Sequence, residues 1–286
     1  METKPAPDQT PLHNAMPLPI ERGLVKTSFG HIHYRAAGDG MPILLLHINQ
    51  QSSALYLELM QVLGVQLRAI AIDYPSHGMS DHLDWPPAIA DYARCVIEVM
   101  DALAIPAAGV LGEAVGAVVA LELACAFPAR ITKTVLVNCP YYEDRATADL
   151  RHAPLKGGLR PADASGFPLP RTLEFVLEHD PGHAPMQPTQ SWMDRVNVAQ
   201  MQAGRERWQA LDALHQYDIA ANLARISCPV LLMIGEHFFY AQHRDKFAAR
   251  VRNLRTEIVA GARFCMTWER AADIGPRVIG FLRETG

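Results

Sequence analysis

No apolar run in this sequence approaches the roughly 20 residues that a membrane-spanning helix needs, so a membrane-embedded role is excluded. Neither sign of charge is in excess, and the net charge is −4. A nucleic acid or an anionic membrane surface would call for a basic chain, so neither is expected as a partner. Cysteine is scarce and scattered. Cys95, Cys125, Cys139, Cys228 and Cys265 show no C-x-x-C spacing, and four lie in apolar or strand-like surroundings. They read as buried thiols of a reducing compartment, not as a disulfide framework or a zinc site. A glycine-rich phosphate loop, a dinucleotide fingerprint and a metal-ligand cluster are also lacking, so no cofactor and no metal are expected. Residues 1–20 are polar and proline-rich without an apolar centre. They do not read as a secretory signal, and a disordered or loosely docked leader is expected. The location these absences point to is cytoplasmic.

The most informative stretch is residues 107–127, AAGVLGEAVGAVVALELACAF. An apolar run enters a turn containing Gly112 and Gly116, and a helix-forming segment follows at once. Glycines flanking a strand-to-helix turn are what a nucleophile elbow requires, because the turn leaves no room for β-carbons beside its strained centre. In the pattern G-x-S-x-G the centre is a nucleophilic serine. Here the five residues are Gly112, Glu113, Ala114, Val115 and Gly116, so the centre is alanine. A methyl group has no lone pair with which to attack a carbonyl.

The rest of the chain is built on the same alternation. Residues 24–28 and 31–36 read as a hairpin around Phe29 and Gly30, followed by apolar strands at 42–47, 67–73, 131–138 and 229–235 and a further strand at 256–260. Helices are expected at 53–63, 89–103, 241–251 and 271–283. Residues 139–217 break the pattern: proline, glycine and histidine rise, and only helical patches appear, at 171–178 and 191–215. The expected domains are a doubly wound, mostly parallel core (21–139 and 218–286) with a helical cap (140–217).

The ordered markers FGHIHY at 29–34, LLLH ending at His47, DYPSHGMS at 73–80, the elbow, CPVLLMIGE at 228–236 and GARFCMTWE at 261–269 resemble the α/β-hydrolase superfamily. The similarity is to its capped branch of carbon–carbon bond hydrolases, epoxide hydrolases and small esterases, and it covers nearly the whole chain after the leader. The resemblance implies an α/β-hydrolase fold and locates the three groups of an acyl-enzyme mechanism. The nucleophile falls on Ala114. The acid falls at about Phe238, with His237 before it, and the histidine falls on Arg263. All three positions have changed, which an engineered knock-out of the nucleophile alone would not produce. The oxyanion loop also departs from the family, with Ile48, Asn49, Gln50 and Gln51 after His47. Asn49 and Gln50 could still donate to a carbonyl or carboxylate.

Arg263 is the residue of greatest interest. Turned inward it would offer a planar cation to a carboxylate, enolate or phosphate oxygen; turned outward it would pair with Glu113, Glu236 or Glu269. Arg263 and His47 are therefore the candidate catalytic residues, and Asn49, Gln50, Ala114, Val115, Tyr141, Trp192, His237 and Phe238 the candidate binding residues. Tyr142, Phe239, Tyr240 and Trp268 could line an apolar cavity, and Arg195, Arg205 and Arg207 could reach an anion from a lid helix, although packing and solvated faces are the ordinary roles of such residues. Glu143, Asp144, His77, His237 and His243 are candidates for displaced acid or base groups. Three readings follow: a non-covalent enzyme (lyase, decarboxylase, hydratase or cyclase) acting on a small carbonyl or carboxylate compound; a non-catalytic ligand-binding or scaffold protein; or a hydrolase with displaced acid/base residues. The expected partner is a small molecule, anionic in the first reading, and a homodimer stays open.

Overall fold

The computed structural model describes residues 17–149, 189–238 and 240–284. Its centre is an eight-stranded sheet in the order β1-β2-β4-β3-β5-β6-β7-β8. The strands are β1 (Glu21–Thr27), β2 (Gly30–Ala37), β3 (Met41–Leu46), β4 (Leu67–Ile72), β5 (Ala108–Glu113), β6 (Ile131–Val137), β7 (Val230–Gly235) and β8 (Leu254–Val259). The predicted hairpin is β1–β2, antiparallel in itself and against β4; β4 through β8 are all parallel. Parallel central strands must bury both faces, which is why β3, β5 and β7 carry apolar runs and β6 ends in one, Val135–Val137. Successive residues of β3 face opposite ways. Leu44 and Leu46 join the apolar layer under α2 (Ile89–Ala102) and α3 (Val115–Ala126). Ile43 and Leu45 join the layer under α1 (Leu57–Leu63) and α9 (Ala271–Arg283).

Several predicted helices are subdivided. The first is a 3₁₀ turn, Ser53–Tyr56, that runs into α1. The lid helix splits into α4 (Gln190–Ala203), a 3₁₀ turn (Gly204–Trp208) and α5 (Gln209–His215), because Gly204 takes φ +56° and ends the regular ladder. Then α6 (Ile219–Leu223) precedes β7, and the predicted helix at 241–251 is a 3₁₀ turn (Ala241–His243) followed by α7 (Arg244–Ala248). The short α8 (Met266–Glu269) precedes α9. The helical patch expected at 171–178, most of the leader, and Phe239 lie outside the described residues. The last leader residues are docked: Leu18 exchanges two backbone hydrogen bonds with the Gln61 side-chain amide, at 2.7 and 2.9 Å. The five cysteines are free thiols, three of them buried and two half-buried. Among the described residues, no helix is long and apolar enough to cross a membrane.

The segment 190–208 is tied by specific contacts to elements that follow β3, β4 and β8. Arg195 donates to the Ala54 carbonyl (3.1 Å) and to both oxygens of Glu58. Trp192 stacks on Trp268 with ring centroids 4.6 Å apart, and His82 lies 3.4 Å from Glu206. α4 therefore sits over the carboxyl ends of the parallel strands, the edge where open α/β sheets bind ligands.

Candidate active site

β5 leads into α3 through Ala114, whose backbone is at φ +52°, ψ −113°. Non-glycine residues rarely adopt this region, and holding one there costs on the order of 1–3 kcal/mol. The neighbouring glycines make it possible: a β-carbon on Gly112 would lie 2.0 Å from the Gly116 carbonyl oxygen, and one on Gly116 only 1.8 Å from that of Leu46. The Ala114 amide is tied to the Val137 carbonyl (3.0 Å), and its own carbonyl accepts from Ala117 and Val118 as α3 begins. Ala114 is half-exposed, whereas every residue of β5 and most of α3 is buried. Val115, 2% exposed, is the first residue of α3, and its N–H belongs to the first turn, where amides have no intrahelical carbonyl to bond.

Glu113 points into the protein. Its carboxylate accepts from the Met266 amide (2.8 Å), the Thr267 amide (3.2 Å), the Thr267 hydroxyl and the Asn138 side-chain amide (3.3 Å). Burial pushes its pKa up, and these donors pull against that rise. Glu113 therefore anchors α8 to β5. Glu113→Ala would strand several buried donors and is expected to lower stability by roughly 2–4 kcal/mol. Chemical denaturation would measure this, and Glu113→Gln, which keeps one acceptor oxygen, should lose less.

His47 is fully buried at the end of β3, and both ring nitrogens are engaged: Nδ1 with the Ile48 carbonyl (2.8 Å) and Nε2 as acceptor from the Tyr74 amide (3.2 Å). Burial drives its pKa down. A neutral ring with both nitrogens committed to backbone holds the loop in place, which is a different task from the catalytic one expected of it. The loop then turns through half-buried Asn49 and Gln50, the latter at φ +62°, and closes with Gln51 N–H to the Ile48 carbonyl. Asn49 Oδ1 and Trp192 Nε1 are buried without hydrogen-bond partners.

Arg263 is buried at 9% exposure, and its Nε lies 3.8 Å from Glu269 Oε1. It is thus turned in from solvent and also ion-paired, combining the two orientations the sequence left open. Phe238 is packed, stacking on Phe264 (6.3 Å) and edge-on to Tyr240 (5.6 Å), whose hydroxyl donates to that of Tyr142. His237 is half-exposed beside Glu236 (3.9 Å). Tyr141 does not join the others. Its ring packs on Phe247 (5.7 Å) under the Arg250 guanidinium, and its hydroxyl meets Glu143. Glu143 is in turn bound by Lys246, and Asp144 caps the Thr147 amide.

The sequence model of the alpha/beta hydrolase family matches residues 44–273. The chain belongs to that family. It is 24% identical over 280 residues to the 2-hydroxy-6-oxo-6-phenylhexa-2,4-dienoate hydrolase of Comamonas testosteroni, covering 88% of this chain and 91% of the other. A hydrolase of Pseudomonas aeruginosa PA01 superposes with TM-score 0.73 and 24% identity over 92% of this chain and 98% of that one. The enol-lactonase of Burkholderia xenovorans LB400 gives 0.72 and 21% over 92% and 100%. At these identities the two solved structures speak to the fold alone.

In this member of the alpha/beta hydrolase family the elbow, the loop after β3, the end of β7 and the turn after β8 follow the carboxyl ends of parallel strands of one sheet. Among the described residues, the close buried histidine–carboxylate pair is His33 with Asp73, 2.8 Å apart. Asp73 follows β4 and His33 lies on β2, two and three strands away from the elbow strand β5, or about 10 and 14 Å. His77, another candidate base, is fully buried, with Nδ1 on the Pro75 carbonyl (3.1 Å) and Nε2 without a partner. Burial foremost, then the nearby His47 ring, pushes its pKa down to about 3, against weaker upward pulls from Pro75 and Asp73. Unfolding frees it to titrate near 6.5, so the unfolded chain binds more protons between those values. Stability is then complete above pH 6.5 and falls as pH drops toward 3, by as much as about 4 kcal/mol. His77→Phe should flatten this acid limb in denaturation curves at pH 7 and pH 4.5.

Asn138 carried no signal in the sequence beyond ending an apolar strand, yet it joins three of these loops. The Asp73 network, which holds Ser53, Met79 and His33, was equally silent.

Proposed function

We propose that this alpha/beta hydrolase family member binds a small carbonyl or carboxylate compound above Ala114 and acts on it without forming an acyl-enzyme. The observation that carries this reading is the elbow itself. Its strained backbone is kept and Ala114 stays half-exposed, although its side chain is not a nucleophile. What such a turn still offers is the start of α3, whose amides and dipole suit a developing or resident negative charge. Arg263, buried and braced by Glu269, supplies a fixed cation near the same edge, and a guanidinium has five donors to share among acceptors. Asn49 and Trp192 add buried polar atoms that a ligand can satisfy. Lyase, decarboxylase, hydratase or cyclase chemistry draws on such positioned charge and does not need a nucleophile. The Comamonas relative is named for an oxo- and hydroxy-bearing dienoate, which falls in the substrate class proposed here.

Binding without turnover is the second reading. The packing of Phe238 against Phe264 and Tyr240 supports it, because it puts an aromatic cluster where the family's acid would work. The test is thermal unfolding against small carboxylates, β-keto acids, aromatic ketones and esters. A specific ligand at about 100 times its dissociation constant should stabilise the protein by roughly 2–3 kcal/mol. A carboxylate hit that disappears in Arg263→Ala supports the reading, and no hit in any class overturns it.

A further inference from the structure

Asn138 follows β6 directly and is fully buried. Its backbone takes φ +45°, in the left-handed region where asparagine is tolerated better than most residues. Every polar group of its side chain is directed at a different loop of the site edge. Nδ2 donates to the Arg263 carbonyl (2.8 Å) and to Glu113 Oε1 (3.3 Å), and Oδ1 accepts from the Gly235 amide (2.9 Å). Its backbone amide completes the set by donating to the Met233 carbonyl (2.9 Å). One side-chain amide therefore joins the last residue of β5, next to Ala114, the last residue of β7, from which the Phe238 loop departs, and the turn after β8 that carries Arg263.

The Arg263 turn also leans on the end of β7, and Gly261 N–H donates to Glu236 (2.8 Å). A β-carbon on Gly235 would lie 2.7 Å from the Ala262 carbonyl oxygen, so the end of β7 and this turn touch backbone to backbone, and the His237 amide donates to the same carbonyl (3.0 Å). Further along, the Met266 and Thr267 amides hang on Glu113. Residues 262–267 are thus tied to β5 and to the end of β6 by two buried side chains, and Asn138 is the one that holds the Arg263 backbone carbonyl. No other residue type meets these demands at once. Aspartate has no donor for the Arg263 carbonyl, glutamine is a carbon too long, and leucine would take their side-chain partner from the buried Arg263 carbonyl and Gly235 amide.

We infer that Asn138 is the positioning residue of the site, setting where the Arg263 guanidinium stands relative to the elbow. This rests on the proposed role of Arg263, and its test is independent of any ligand. The arginine Nε–Hε resonances of ¹⁵N-labelled full-length protein would be recorded for the wild type, Asn138→Gly and Asn138→Asp, with Arg263 assigned by its loss in Arg263→Lys. Glycine keeps the left-handed backbone and deletes the amide, and aspartate keeps the size and deletes the donor. Folding of each variant would be checked by far-ultraviolet circular dichroism. The expected result is that the Arg263 resonance moves toward the envelope of exposed arginines or broadens away in both variants. The Arg195 resonance, held by Ala54 and Glu58, should stay where it is. An unmoved Arg263 resonance in either folded variant overturns the inference and leaves the function untouched. A carboxylate panel without hits overturns the function and leaves Asn138 as the support of this turn.

Discussion

Gly116→Ala is expected to prevent accumulation of the folded protein. The added methyl would lie 1.8 Å from the Leu46 carbonyl oxygen, 2.6 Å from its carbon and 2.9 Å from the His47 carbonyl oxygen. Those atoms belong to the carboxyl end of β3, which is paired on both sides, with β4 and with β5. A flexible side chain could swing away from a methyl; a central strand cannot. Overpacking a tight core usually costs about 1–3 kcal/mol, and occasionally more. With backbone on both sides of the clash the cost should reach or pass that upper figure, a large part of the roughly 5–15 kcal/mol that stabilises a typical domain. Soluble yield and the denaturant midpoint would report it. Gly280→Ala is the control with the opposite sign. That glycine lies within α9, and a β-carbon there would meet nothing within 4 Å. The substitution should stabilise the protein by up to about 1 kcal/mol through helix propensity alone.

Ala114→Ser is expected to fold normally and to remain inactive toward activated esters such as p-nitrophenyl acetate. The elbow already tolerates a β-carbon at φ +52°, so a hydroxyl adds little strain. A serine there still lacks a base. Arg263, which the resemblance places where the family's histidine is expected, has no lone pair with which to take a proton. Phe238, near where the resemblance places the acid, cannot orient an imidazole. A positioned general base contributes on the order of 10²–10⁴ in rate, so its absence keeps the single variant near background. Ala114→Ser combined with Arg263→His and Phe238→Asp should exceed the single variant by at least about 10². Fluorophosphonate labelling would follow the same order. If Ala114→Ser alone hydrolysed the ester rapidly, a base must stand elsewhere, and the displaced-residue reading would replace the one proposed here.

What the sequence made legible follows from the range over which each signal acts. The strands of the sheet were readable because parallel central strands bury both faces and leave unbroken apolar runs such as residues 42–47. The elbow was readable because two glycines, each two residues from its centre, record a steric demand that is local. Subdivision of the lid at Gly204 was missed, since an isolated glycine inside a helical pattern is ambiguous until its φ is known. The site was legible in outline only. The role of Glu113 could not be read locally, because its main-chain partners lie some 150 residues along the chain. The Arg263–Glu269 pair was one of several pairings open to that arginine, and only tertiary packing chose among them. Asn138 was invisible for the same reason: its three side-chain bonds reach residues 25, 97 and 125 positions away.

The most direct test of the central claim is product analysis on a 2-hydroxy-6-oxo-dienoate or β-keto carboxylate, with the intact mass of the protein followed through the reaction. Non-covalent chemistry above Ala114 predicts that product accumulates while the protein mass stays unchanged at every time point, and that Arg263→Ala abolishes turnover. An acyl adduct on the protein, or full turnover in folded Arg263→Ala, would contradict it.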